Sequence, residues 1–137
     1  MRVVLDANVI IAAFAARGLC AEVFEVCLLR HRIVLSRHIL EEVEENLERK
    51  IKLPRHVIEE LIAYLKEYAE IVVPREVEQQ ACRDKSDLPV LGTALAGSCA
   101  VIVTGDSDLL DLKQYRGIRI LSPRQFWDYI RRSTTPS

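Results

Sequence analysis

Val101-Ile102-Val103-Thr104-Gly105-Asp106-Ser107-Asp108-Leu109-Leu110 is the stretch that decides the fold. Three β-branched residues run without alternation into a short polar turn, and an apolar helical pattern follows. Two similar runs lie elsewhere: Val3-Val4-Leu5, which leads into Asp6-Ala7-Asn8, and Ile71-Val72-Val73. Continuous hydrophobicity of this kind marks strands buried on both faces, and a parallel sheet is their natural host. Ile33-Val34-Leu35 and Ile118-Arg119-Ile120-Leu121 read as shorter strands. Segments with helical spacing separate all five, near 8 to 16, 20 to 31, 37 to 51, 55 to 69, 87 to 97, 107 to 114 and 123 to 132. Ser36, Pro54, Ser86 and Ser122-Pro123 supply start signals for the third, fourth, fifth and last of these. The alternation predicts an α/β fold, a three-layer α/β/α sandwich around a mainly parallel sheet.

The 137 residues, half of them apolar, suffice for one domain with its own core and are too few for two. The domain is expected to span 1–132, with 133–137 a disordered tail. Nineteen basic and twenty acidic side chains leave a formal charge of -1, so no global field draws in a polyanion. Nucleic-acid contact would have to come from local patches or bound cations. No apolar run reaches the ~20 residues of a membrane span, and the opening Met-Arg-Val-Val-Leu-Asp reads as a buried strand without a signal-peptide layout, so a cytoplasmic protein is expected. Cys20, Cys27, Cys82 and Cys99 form no CxxC pair and no finger spacing, which makes them reduced core residues. His31, His38 and His56 each neighbour an arginine and suit a solvated basic surface better than a zinc site.

Asp6 and Asp106 both fall just past the carboxyl ends of predicted parallel strands, the edge where open α/β sheets bind ligands. Two carboxylates brought together there repel or share a proton unless a cation joins them. Mg²⁺ and Mn²⁺ are hard ions that prefer carboxylate oxygen and keep waters that can be activated. On the third helix, Ile39, Leu40, Val43 and Leu47 define the buried stripe. The ~100° per residue of a helix turns Glu41, Glu45 and Glu48 to solvent and leaves Glu42 and Glu44 on the borders, the only two able to reach a pocket. Asp84 and Asp87 surround the start of the fifth helix, where either serves equally well as a cap. Asp108 reads as a cap or as surface.

Together these residues resemble the PIN-domain family. The resemblance rests on D-x-N at Asp6-Ala7-Asn8, Ser36 followed by Glu42 on a helix, an Asp opening the helix before a late core strand, and T-G-D-x-D-L-L from Thr104 to Leu110. It covers nearly the whole chain and is similar to the virulence-associated protein C toxins of toxin–antitoxin pairs. It implies a metal-dependent endoribonuclease with Asp6, Glu42, Asp87 and Asp106 as catalytic, metal-holding acids for one or two Mg²⁺ or Mn²⁺ ions. Asp108 would be auxiliary, and Asn8, Ser36 and Thr104 would orient carboxylates. RNA as substrate, a homodimer and an antitoxin partner come with the same resemblance. Ala7 departs from the hydroxyl residue often found there, and Lys85 stands where more acid is common.

Basic groups at Arg30-His31-Arg32, Arg37-His38, Arg49-Lys50-Lys52 and Arg55-His56 are candidate phosphate contacts, or equally a solvated surface. Phe126, Trp127 and Tyr129, at helical spacing beside Ile130, read as a packing face or a subunit contact, with base stacking as the alternative. The main alternative is a haloacid-dehalogenase-type phosphatase with Asp6 as nucleophile and Gly105-Asp106-Ser107 with Asp111 at the metal. Asn8 stands where that chemistry needs a second Asp. A non-catalytic module with the PIN fold and a receiver-like phosphoacceptor domain are further alternatives, the latter lacking a Lys after the late core strand.

Overall fold

The apolar runs become strands because their side chains have neighbours on both sides. In the structure, a computed structural model that describes residues 1–134, Val3, Val4, Leu5, Val101, Ile102 and Val103 are all fully buried. They belong to β1 (Arg2–Leu5) and β4 (Val101–Val103), which pair in parallel at the middle of the sheet. The others are β2 (Arg32–Ser36), β3 (Glu70–Val72), β5 (Gln114–Tyr115) and β6 (Ile118–Leu121). Their order is β3-β2-β1-β4-β6-β5, all parallel except β5, which runs antiparallel to β6. Arg116 and Gly117 join that hairpin with φ of 48° and 83°, the two positive values that a two-residue type I′ turn requires.

The helices are α1 (Ala7–Ala15), α2 (Leu19–Arg30), α3 (Arg37–Arg49), α4 (Arg55–Tyr68), α5 (Leu88–Ala96), α6 (Ser107–Leu110) and α7 (Pro123–Thr134). α1 packs on α2 and α3, α2 on α7, and α3 on α4, while α5 crosses β2 and β1. Successive strands step from β1 outward to β2 and β3, then α5 carries the chain back to β4. Right-handed crossovers taken in opposite senses put α5 on the face opposite α1 and α2. β1 and β4 therefore flank the switch point of the sheet, and a crevice opens beyond their carboxyl ends. The result is the expected α/β sandwich with a mainly parallel sheet. Among the described residues no helix is long and apolar enough to cross a membrane.

Several expectations need correction. Ile71-Val72-Val73, expected to be buried on both faces, lies at the edge of the sheet: Ile71 in β3 is 41% exposed, and Val73, just past the strand, 85%. The helix expected over 107–114 ends at Leu110, and its last residue starts β5. Ser36 precedes α3 but makes no capping bond; its hydroxyl is hydrogen-bonded at 2.8 Å to that of Thr93 on α5. Ser86 does not cap α5, because it lies in a 3₁₀ turn over Lys85–Asp87 that Asp84 caps. At α7 the reading holds, with reciprocal bonds from Gln125 N–H to Ser122 Oγ and from Ser122 N–H to Gln125 Oε1. α7 runs to Thr134, two residues past the expected end of the domain, and 135–137 lie outside the described residues.

Candidate functional site

Asp6 sits where β1 gives way to α1, and its carboxylate is held from three directions. Ala7 N–H donates to Oδ1 at 2.8 Å; Thr104 Oγ1 and Asn8 Nδ2 donate to Oδ2 at 2.7 and 3.2 Å. Thr104 ends β4 in the same fashion, fully buried, and its hydroxyl accepts from Asp106 N–H at 3.0 Å. Asn8 closes the circuit by accepting from Gly105 N–H at 2.9 Å. The two turns that follow adjacent strands are thus laced together by side chains. Asp6 is only 4% exposed, and burial raises its pKa, with the Asp106 charge adding to the effect and the three hydrogen bonds opposing it.

The expected acids meet. Asp6, Glu42, Asp87 and Asp106 line one cleft of about 410 Å³, together with Asn8, Asn46, Lys50 and Ile51 and with Ile11, Ala12 and Ala15 of α1. Glu42 reaches it from α3, half-buried, and burial raises its pKa while Asp6 pushes the same way. Asp87 arrives from the 3₁₀ turn before α5 and is 8% exposed. Its pKa is pushed up to about 8, first by burial, then by a hydrogen bond to the Asp106 carboxylate and by the charges of Asp106, Asp84 and Asp6. Burial and neighbouring negative charge both favour the protonated carboxyl here. Glu44, the other border residue, turns away to pair with Arg55 at 2.5 Å.

Asp87 also belongs to a second group. Asp84, Asp87 and Asp108 bring one carboxylate oxygen each within 4.8 Å of one another. Asp84 is committed to Ser86, accepting from its N–H and Oγ at 2.9 and 2.8 Å, and these bonds lower its pKa. Asp108 lies 3.8 Å from Arg83. Cys82, buried beneath them, has Sγ 4.0 Å from Asp87 Oδ2 and 3.9 Å from the Asp108 carbonyl. All four cysteines are free, and burial pushes the Cys27 thiol to about 12 and that of Cys99 to about 11.

Some readings move. Ser36, expected to orient a carboxylate, bonds Thr93 instead and does not line the cleft. His38, read as solvated, is half-buried with Nε2 2.5 Å from Glu42 Oε1. Arg37, Arg49 and Arg55 are each tied to glutamates: Glu41, Glu45, and Glu44 with Glu48 and Glu59. Phe126 is core, and its ring meets His31 edge-on, while Arg119 stacks over Tyr129. Asn46 and Lys50 were missed as cleft residues, although four- and eight-residue steps from Glu42 put them on its helix face.

The PIN-domain family model matches residues 2–108. The chain belongs to the PIN-domain family. That assignment sets aside the phosphatase and receiver-like readings of the same acids. No curated protein matches the sequence. Among solved structures, this PIN domain is similar to VapBC-1 from nontypeable Haemophilus influenzae, with a TM-score of 0.64 at 19% identity, covering 90% of this chain and 99% of that one. It is also similar to VapBC2 from Rickettsia felis, solved bound to a DNA fragment from its promoter, with a TM-score of 0.60 at 14% identity and coverage of 89% and 98%. At such identities the likeness speaks to the fold.

Proposed function

We propose that this PIN domain is a divalent-metal-dependent endoribonuclease, the toxin of a toxin–antitoxin pair acting in the cytosol. The observation that carries the reading is the convergence of Asp6, Glu42, Asp87 and Asp106, from four separate segments, on one cleft at the switch point of the sheet. Their donor atoms are all carboxylate oxygens, the set that Mg²⁺ or Mn²⁺ prefers, and the charges of Asp106, Asp84 and Asp6 add to the burial that raises the Asp87 pKa, a load that such an ion would offset. When bound, one or two ions would lower the pKa of a water and stabilise charge on the scissile phosphate.

The chain's own residues do the positioning. Thr104, Asn8 and Ala7 N–H hold both Asp6 oxygens, so that carboxylate is fixed before any ligand arrives. Asp106 takes its place because its own N–H is anchored on Thr104 and its Oδ1 accepts from Asp108 N–H at 3.2 Å. Asp87 must give up its proton before it can act as a ligand, which makes metal loading proton-coupled near neutrality. Likeness to VapBC-1 and VapBC2 supports an antitoxin partner, and the family resemblance supports a homodimer.

The deciding experiment incubates labelled single-stranded RNA, duplex RNA and DNA with the protein in Mg²⁺, Mn²⁺ or EDTA, beside Asp6→Asn. Metal-dependent internal cleavage of RNA, lost at least 100-fold in the variant while its circular dichroism is unchanged, is the expected result. Equal turnover by Asp6→Asn, or cleavage undiminished in EDTA, rejects the reading.

A further inference from the structure

A second and larger hollow, about 710 Å³, adjoins the acid cleft and has no part in the chemistry above. It is lined by His38, Arg75, Lys85 and Glu76, with Pro74, Val77, Leu88 and Pro89 as an apolar floor. The two hollows share a wall. His38, on this side, touches Glu42, on the other, and Lys85 and Leu88 flank Asp87 in sequence. His38, Glu42 and Asn46 on α3 and Lys50 at its C-cap follow one another at four-residue steps, a stripe about 18 Å long that runs from the larger hollow across the acids.

The cations along this route differ from those elsewhere on α3 and α4. Arg37, Arg49 and Arg55 are neutralised by glutamates, whereas among the described residues no carboxylate lies in ion-pair range of Lys50, Arg75 or Lys85. Lys85 Nζ instead donates to the backbone carbonyl of Gln79. Arg75 and Lys85 are exposed, and the connector that carries Arg75 is pinned to α5 by its N–H donating to the Gly92 carbonyl at 3.0 Å. Unspent cations over an apolar floor suit a polyanion whose bases have faces to bury, and the volume is that of an ordinary small-ligand pocket.

Resting on the ribonuclease reading, we propose that this hollow seats the single-stranded RNA flanking the scissile bond, with Arg75 and Lys85 on its phosphates and Lys50 receiving the strand beyond the acids. Bases pack on Pro74, Val77, Leu88 and Pro89. The chain's formal charge of -1 then ceases to be an obstacle, because the attraction is local.

The test is fluorescence anisotropy of a fluorescein-labelled single-stranded oligoribonucleotide, bound in Mg²⁺ over a salt series to the Asp6→Asn protein so that the strand stays intact. Arg75→Ala with Lys85→Ala should weaken binding at least tenfold and make the plot of log K against log salt shallower by about 1.4, two phosphate contacts at ~0.7 each on a single strand. Lys50→Ala should remove about 0.7. Arg37→Ala with Arg49→Ala, which breaks only glutamate pairs, should leave the slope alone. In otherwise wild-type protein the Arg75/Lys85 change should raise KM for the long strand and spare kcat. An unchanged slope and affinity in the Arg75/Lys85 variant, with RNA cleavage intact, overturns the assignment of the hollow and leaves the nuclease reading standing. Preference of the hollow for a glutamate-rich peptide over the oligonucleotide overturns it in favour of a protein partner. Absence of RNA binding and cleavage by the unaltered protein overturns both.

Discussion

Thr104 Oγ1 donates to Asp6 Oδ2 at 2.7 Å, a buried bond between residues 98 positions apart that ties the end of β4 to the end of β1. The same hydroxyl accepts from Asp106 N–H, so one side chain sets the spacing of two acids. Thr104→Val keeps the shape and deletes both bonds. It should lower the unfolding free energy by about 1–3 kcal/mol, the cost of leaving buried polar partners unmet. Urea denaturation checks this, and RNA cleavage should fall in parallel. An unchanged urea midpoint would mean that water replaces the hydroxyl.

The pH dependence of the metal-free protein has a definite sign. Asp87 titrates at about 8 when folded and at the ordinary 3.8 when unfolded. Between those values the folded state holds a proton that the unfolded chain has lost, so stability falls as pH rises through the window and levels off above it. Asp6 and Glu42, also raised, push the same way. Thermal melts in EDTA from about pH 5 to about pH 8 should show a declining Tm, and Asp87→Asn should flatten much of the decline. An equally steep decline in that variant would place the stress on another group.

Metal should reverse the decline. Saturating Mn²⁺ or Mg²⁺ is expected to raise Tm, the stabilisation reaching about 2.7 kcal/mol at a hundred times Kd. The gain should grow with pH up to about 8, because loading below that value must first expel the Asp87 proton. Calorimetry in buffers of different ionisation enthalpy will register that release. A metal-independent Tm would speak against an ion among these acids.

Gly92 is fixed by a close approach. A Cβ there would lie 2.3 Å from the Arg75 carbonyl oxygen, a backbone atom that moves only with the whole connector. Gly92→Ala gains ~1 kcal/mol of helix propensity. The clash is expected to outweigh that gain, leaving a net loss of about 1–3 kcal/mol, the usual cost of overpacking. Urea denaturation reads the result; a stabilised variant would show that the connector yields.

Much of this was written locally. The doubly buried strands betray themselves by unbroken apolar runs, and Asp6 and Asp106 stand out because both fall at the carboxyl ends of such strands, the edge where open α/β sheets bind ligands, although each also caps the helix that follows. Angular sorting on α3 narrows five glutamates to Glu42 and Glu44; the family resemblance favours Glu42, and the pairing of Glu44 with Arg55 depends on a partner eleven residues away on α4. What sequence concealed depends on partners far along the chain. Ile71 and Val73 are as apolar as any core strand, yet nothing nearby says that β3 has a neighbour on one side only. Ser36 has the type and position of a cap, but Thr93 on α5 competes for it. Gln114–Tyr115 is too short to show a period. His38 is different: its four-residue offset from Glu42 was visible, as were the offsets of Arg37 from Glu41 and Arg49 from Glu45 that consume two basic candidates.

The central position of β4 between β1 and β6 has a consequence for a chain still being synthesised. A nascent polypeptide that has left the ribosome only as far as α4 owns Asp6 and Glu42 but neither Asp87 nor Asp106. The acidic cleft is thus unfinished until β4 slots into the gap between β1 and β6, and a fragment that stops at α4 carries only half of its blade.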